Sequence, residues 1–179
     1  MSTDSELLAR SRVAPEAFGT VYGRHAGAVF RFLSRRVGPA PAEDLLAEVF
    51  TTAFAARRRF VSHESGSALP WLYGIAANLV RGHLRRRQPT IAPAEVDVVD
   101  WAAVDDRLDA AARRMELRAA LTALSPAERE LLLLVAWEGL TPSEAGAALG
   151  LTPSAARSRL HRGRLRAQTA LGATFERTI

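Results

Sequence analysis

The chain has 179 residues, 48% of them hydrophobic and 24% charged, with a net charge of +5. That is enough for one ordinary domain or two very small ones, and too little for a large doubly wound sheet or an eight-stranded α/β barrel. Cysteine is absent, which excludes disulfides, thiolate zinc sites, iron–sulfur clusters and a cysteine nucleophile.

Met1 to Pro15 carries Asp4, Glu6, Arg10 and Arg12 with no apolar run behind a positive head, so no secretory signal is expected there. Nowhere do about 18 uncharged apolar residues run together, the minimum for a membrane span, and the expectation is a cytoplasmic protein. Phe18, Val21, Tyr22, Val29, Phe30, Leu33 and Val37 form the apolar stripe of a first helix that Gly38-Pro39 stops. A second helix is expected from Pro41, a favourable first-turn residue, with Glu43 and Asp44 near its positive end and Leu45, Leu46, Val49, Phe50 and Phe54 buried. It ends in Arg57-Arg58-Arg59-Phe60. Val61 to Ala68 is rich in serine and glycine, hence a loop, and Pro70 opens a third helix through Trp71, Ile75, Leu79 and Leu84 to Arg85-Arg86-Arg87.

Gln88 to Asp100 holds Pro89 and Pro93 without helical periodicity and reads as a linker. Charge changes sign at the same place. From Ala17 to Gln88 eleven arginines against four acids leave +7; from Pro89 to Ala112 one arginine against six acids leaves −5; from Arg113 onward ten arginines against six acids leave +4. All 24 basic residues are arginine, the better bidentate partner for phosphate and guanine, although a G+C-rich genome would produce the same bias.

Beyond the linker, one piece of helix-start grammar recurs. Ser125-Pro126-Ala127-Glu128 and Thr141-Pro142-Ser143-Glu144 are capping boxes with proline in the first turn, and Thr152-Pro153 repeats the pattern without the glutamate. Helices are expected at about 105–123, 126–138, 142–149 and 153–171, with Gly139 and Gly150 as stops. The fold class is therefore all-α: two small helical domains, 15–88 and 113–172, joined by an acidic flexible linker, 89–112, with a helix-turn-helix in the second.

Thr141 to Arg166 has the length and punctuation of that motif. In the last helix Ala156, Leu160, Gly163, Ala167 and Leu171 would face the core, while Ser154, Ser158, His161 and Arg162 point away, flanked by Arg157 and Arg164 on one side and Arg159 and Arg166 on the other. No acid occurs between Leu151 and Phe175. Short polar side chains surrounded by arginines suit a major groove with phosphates on both sides.

Leu124 to Glu130 together with Arg157-Ser158-Arg159-Leu160 resembles the promoter-binding C-terminal domain of bacterial RNA polymerase sigma factors. Ala42 to Phe50 followed by Trp71 to Leu79 resembles their core-binding and promoter-melting domain, and two domains with a short linker resemble the extracytoplasmic-function group. The resemblance implies that Asp44, Glu48 and Phe50 meet core polymerase at its β′ clamp helices. It implies that Arg59, Phe60, Ser62, His63 and Asn78 hold an unstacked base of the −10 element, with Trp71, Arg81, Arg85 and Arg86 along the single strand. Thr152, Ser154, Ala155, Arg157, Ser158, Arg159, His161 and Arg162 would read the −35 element. It further implies contact with the β flap, room for an anti-sigma factor, and a linker threading toward the polymerase cleft. The chain departs from the family's pattern at Ala47, where glutamine is usual, at Gly82, where aspartate is common, and at Ala77, where a basic residue often precedes the asparagine.

Duller accounts stand beside these. Asp44 and Glu48 could be two solvated acids, Trp71 a core anchor, and Asn78 a surface residue. His25, His63, His83 and His161 have no metal-ligand spacing, so neither a metal nor another cofactor is expected. No Gly-rich phosphate loop, G-x-S-x-G or H-E-x-x-H points to an enzyme. The rival reading is a stand-alone helix-turn-helix regulator with an N-terminal dimerisation or sensing domain, which would have no use for arginine triplets flanking the Val61–Ala68 loop. An adaptor that binds no DNA would not need the acid-free last helix.

Overall fold

The computed structural model describes residues 2–63, 65–87 and 111–176, apart from the side chains of 87, 111–115 and 173–176. These form two compact units, Met1–Thr90 and Ile91–Ile179, with no strand among the described residues. The acidic linker expected at 89–112 lies outside the described residues except for its last two positions, as do residues 105–110 of the helix expected at 105–123.

The first unit contains α1 (Asp4–Arg10), α2 (Phe18–Val37), α3 (Pro39–Ala56) and α4 (Leu69–Arg87). Helices α2, α3 and α4 pack against one another, and α1 packs on α2. Val21, Val29, Phe32 and Leu33 of α2 close on Leu45, Val49 and Ala53 of α3 and on Leu72, Ala76 and Val80 of α4, all buried. Two expectations for α2 change. Phe32, outside the expected stripe, is fully buried and stacks on Tyr73 at 4.9 Å. Tyr22, inside it, is 46% exposed, its ring edge-on to Phe50 at 4.7 Å. Arg36 is buried as well, its guanidinium 3.5 Å above the Phe32 ring and donating to the Phe32 carbonyl, so one arginine of the basic block belongs to the core.

Helix α3 begins at Pro39 rather than Pro41. Gly38, at φ 80°, ends α2 and starts α3 in a single residue, a left-handed conformation that costs glycine nothing. Pro39 and Pro41 both fall in the first turn, where N–H groups lack intrahelical acceptors and proline forfeits nothing. Helix α1 extends the unit back beyond residue 15. Its start is a reciprocal capping box, Thr3 with Glu6, and Leu7 and Leu8 are buried.

The second unit contains α5 (Ala111–Thr122), α6 (Pro126–Ala136), α7 (Pro142–Ala148) and α8 (Pro153–Glu176). Helix α8 packs against each of the other three. Both expected capping boxes are reciprocal, Ser125 with Glu128 and Thr141 with Glu144, and Gly139 and Gly150 take positive φ at the helix ends. Leu121, Leu124 and Leu133 anchor the core, with Leu117, Leu132, Trp137 and Ala167 around them. Arg129 is buried and donates to the carbonyls of Leu121 and Leu124 at 2.8 and 3.2 Å, which binds α6 to the end of α5 and the turn that follows it.

Candidate nucleic-acid and polymerase interfaces

The helix-turn-helix is closed by a glycine. Gly146 of α7 is buried against α8, and a Cβ placed on it would lie 2.6 Å from the Cβ of Ala156. Ala145 and Ala156 are fully buried beside it, and the turn is fixed by Leu151 N–H donating to the Gly146 carbonyl at 2.8 Å. The α8 stripe lies as its spacing requires: Ala156, Leu160 and Gly163 are buried, Ala167 and Leu171 half-buried. Ser154, Arg157, Ser158, His161, Arg162 and Arg164 are exposed, and Arg159 is half-buried.

Three residues of the expected DNA-reading face have other work or less reach. The Thr152 hydroxyl caps α8, accepting from Ala155 N–H at 3.3 Å, and lies 3.3 Å from the Ser154 hydroxyl. Ala155 is half-buried. Arg166, placed by spacing on a phosphate-facing flank, donates instead to Glu128 Oε2 at 2.8 Å. Glu128 is nearly buried, with Ser125 N–H and Oγ at 3.0 and 2.9 Å from the same oxygen. Burial pushes its carboxyl upward, but the bonds from Ser125 and Arg166 outweigh burial and hold it below the usual carboxylate value. Arg157, Arg159, Arg162 and Arg164 have no ion-pair partner among the described residues. They leave positive charge on this face that no described acid neutralises.

In the first unit Asp44 and Glu48 are exposed one turn apart on α3, with Glu43 and Ala47 between and beside them. Phe50 points the other way: it is 5% exposed and packs edge-on against Phe18 and Tyr22. It lines a groove with Tyr22, Leu46, Thr51 and Phe54, and Glu43 and Ala47 stand at the same groove.

The loop before α4 gathers part of the expected −10 set. Arg59 is exposed and Phe60 meets Trp71 edge-on at 5.2 Å, both rings half-buried, an aromatic corner of the kind on which unstacked bases stack. Ser62 is exposed and His63 half-buried in the loop beside it. Trp71, Asn78, Arg81 and Arg85 follow at intervals of seven, three and four, one face of α4; Arg86 is exposed one residue on. Asn78 Oδ1 accepts from Arg81. Only one arginine triplet adjoins the loop, because Arg85–Arg87 lies at the far end of α4, roughly 24 Å of helix from Leu69. Of the near triplet Arg57 is turned inward, 3.8 Å over Phe54 and bonded to the carbonyls of Phe54 and Ser11.

The residues that sequence reasoning missed are Thr3, Asp4 and Ser5. Asp4 is 6% exposed; it accepts from Arg24 at 2.8 Å and Ala68 N–H at 2.9 Å and meets His25 Nε2 at 2.5 Å. The available signal was Thr3-x-x-Glu6, the same grammar that located α6 and α7. Among the described residues no three potential ligands cluster to hold a metal, and no helix is long and apolar enough to cross a membrane.

Residues 21–90 match the family described as Sigma-70 region 2, and residues 114–166 the family described as Sigma-70, region 4. The chain is 39% identical over 163 residues to RNA polymerase sigma factor CarQ of Myxococcus xanthus, covering 89% of this chain and 91% of that protein. It is 35% identical over 152 residues to ECF RNA polymerase sigma factor SigE of Mycolicibacterium smegmatis, covering 79% of this chain and 56% of that protein. Its fold is similar to that of CnrH solved with the cytosolic domain of CnrY, at TM-score 0.64 and 22% identity, covering 96% of this chain and 99% of that one. It is also similar to sigma factor RpoE of Bartonella quintana solved with the anti-sigma factor NepR, at TM-score 0.57 and 23% identity, over 88% and 98% of the two chains. The two regions in this order set aside the stand-alone regulator: the chain belongs to the sigma-70 family and is an RNA polymerase sigma factor of the extracytoplasmic-function group.

Proposed function

We propose how the residues of this sigma factor divide the work of initiation, in the cytoplasm where its polymerase operates. Asp44 and Glu48 meet the β′ clamp helices, and the rim of the Phe50 groove completes that contact. Arg59, Phe60, Ser62, His63 and Asn78 receive an unstacked −10 base, with Trp71 meeting Phe60 at the start of the strand's path and Arg81, Arg85 and Arg86 guiding it along α4. Ser154, Arg157, Ser158, Arg159, His161 and Arg162 of α8 address the −35 duplex, while the second unit engages the β flap and residues 89–112 thread toward the cleft. That CnrH and the Bartonella RpoE were solved with partner proteins supports an anti-sigma factor as a further partner. Melting a promoter takes binding energy rather than bond chemistry, so no catalytic residue is assigned.

One observation carries this reading. The outward face of α8 holds four arginines without acid partners among the described residues, on a helix pinned by the Gly146–Ala156 contact, as groove insertion between two phosphate backbones requires. Run-off transcription on genomic fragments with reconstituted core polymerase tests it. The protein should start transcripts at discrete sites that core alone ignores, and Arg157→Ala with Arg162→Ala should abolish them. Unchanged start sites in that double variant would overturn the assignment of α8.

A further inference from the structure

The stretches 57–63 and 65–68, which enter and leave the loop before α4, are held from outside the α2–α4 bundle at four places. Ser11 accepts from Arg57 Nε at 3.2 Å, where the loop begins. The Ser5 hydroxyl lies 2.7 Å from that of Ser62 and donates to the Gly66 carbonyl at 3.2 Å. The Thr3 side chain lies 3.8 Å from where a Cβ on Gly66 would stand. Asp4 Oδ2 accepts Ala68 N–H at 2.9 Å, one residue before α4.

Asp4 is in turn fixed to α2, Oδ1 by Arg24 at 2.8 Å and Oδ2 by His25 Nε2 at 2.5 Å. A carboxylate that is 6% exposed persists only with such partners, and these come from α2 and from the loop's end. Between Val61, which is 85% exposed, and Ala68 the chain has no apolar side chain to anchor it. The loop's polar ties to α1 therefore do for it what hydrophobic packing does for the helices.

We propose that α1 is a positioning element for base capture, with Asp4 and Ser5 as positioning residues that fix the shape of the loop before DNA arrives. The inference rests on the reading that this loop, with Phe60 and Trp71, receives an unstacked −10 base. Ordering a loop costs conformational entropy. When that ordering is already done in the free protein, the cost does not fall on binding, and a base of the wrong shape cannot be accommodated by rearrangement.

The test compares the full-length protein with Ser5→Ala and Asp4→Asn. Ser5→Ala leaves the buried Asp4 partners untouched and keeps the test open if Asp4→Asn folds poorly. Amide hydrogen exchange is followed at Gly66, Ser67 and Ala68. In parallel, the reconstituted holoenzyme is titrated with the single-stranded −10 sequence of a promoter found by run-off transcription, intact or abasic at the captured base. Both variants should raise exchange at these amides and lower the intact-to-abasic affinity ratio, Ser5→Ala about fivefold, the factor carried by one neutral hydrogen bond, and Asp4→Asn, which loses bonds to a carboxylate, by at least as much, with affinity for core polymerase unchanged. Unchanged exchange overturns the tie. Faster exchange with an unchanged ratio also overturns the proposal, leaving α1 a structural staple. A ratio near one in the unaltered protein is a different failure, that of the base-capture reading itself, and it brings the proposal down with it.

Discussion

Adding one methyl group at Gly146 should unseat the helix-turn-helix. An alanine there would place its Cβ 2.6 Å from the Ala156 Cβ and 3.7 Å from the Leu151 carbonyl. Two such carbons touch at about 3.5–4.0 Å, so α7 and α8 must part by roughly 1 Å. No side chain can swing aside, because the obstructing atom is a Cβ fixed to the backbone of a fully buried residue. Overpacking of this kind costs about 1–3 kcal/mol, and the immobile obstacle puts Gly146→Ala toward the upper end. Alanine's better helix propensity returns up to about 1 kcal/mol. The net loss is about 1–2 kcal/mol, and for a unit of this size each kilocalorie lowers the melting temperature by about 4–8 °C.

Trp137 reports on this unit alone once Trp71 and Trp101 are changed to phenylalanine, so its fluorescence follows the relevant transition. Gly146→Ala should melt about 5–15 °C lower by the same arithmetic. Adding Ala156→Gly, which removes the obstructing methyl, should recover more stability than a glycine in a helix costs on its own. Gly23→Ala in α2 is the counterpart, since nothing lies within 4 Å of its added Cβ, and it should stabilise the first unit by about 0.4–1 kcal/mol. An unchanged or raised melting temperature for Gly146→Ala would refute the claim that this contact sets the crossing.

Burial pushes the Asp4 carboxyl upward, but the bonds from Ala68 N–H, Arg24 and His25 outweigh it and hold it below the ordinary 3.8. Its stabilisation is therefore complete above about pH 4 and is lost as pH falls through the lower folded value: Asp4→Asn should cost about 3 kcal/mol at neutral pH, with the gap in denaturant unfolding narrowing below about pH 4, and a constant gap would count against it. Reversing Asp44 and Glu48 to arginine should abolish binding to core polymerase while changing stability by less than about 0.5 kcal/mol; unchanged binding would remove this face from the interface. On α8, Arg157→Ala and Arg164→Ala should weaken all duplexes alike and lower the salt slope by about one each. Ser158→Ala and Arg162→Ala should cost about 1–3 kcal/mol on the cognate site and relax preference at one base pair, an assignment that equal losses across −35 variants would reverse.

What was legible in the sequence was mostly what short-range rules decide. Serine or threonine, proline and glutamate in fixed order can do little else than start a helix, and α6 and α7 start where those residues stand. The 4, 3, 4, 4 spacing on α8 put the buried side where it is, since periodicity alone fixes a face. Pairings between distant residues were not legible. Phe32 is buried because Tyr73 comes to meet it, and Phe50 turns inward because Phe18 and Tyr22 wait there. Gly146 reads as an ordinary helix glycine until Ala156 is brought against it. Helix α1 is not legible because seven residues make a weak periodic signal and its ties, from Asp4 to α2 and Ala68 and from Ser5 to Ser62 and Gly66, join residues far apart in the chain.

Arg166 and Glu128 carry that distinction into function. Counting along α8 finds five arginines from Arg157 to Arg166 and no acid, yet the face the helix presents has four, because Glu128, held by the capping box of α6, takes the fifth. Gly163 lies directly against Glu128, where an added Cβ would stand 3.4 Å from the Glu128 Cβ. The glutamate that completes the capping box of α6 thus also decides which arginines of α8 are left without an acid partner among the described residues. A helix's charge in sequence is an upper bound on the charge it offers a ligand, and the difference is set by which buried acid the fold brings to it. Leu165, 58% exposed between Arg164 and Arg166, has no explanation in this structure. Arg166→Ala should therefore behave unlike its neighbours, lowering the stability of the second unit through Glu128 while leaving the salt dependence of DNA binding unchanged, and a loss of one unit of salt slope would show that Arg166 leaves Glu128 for phosphate when DNA arrives.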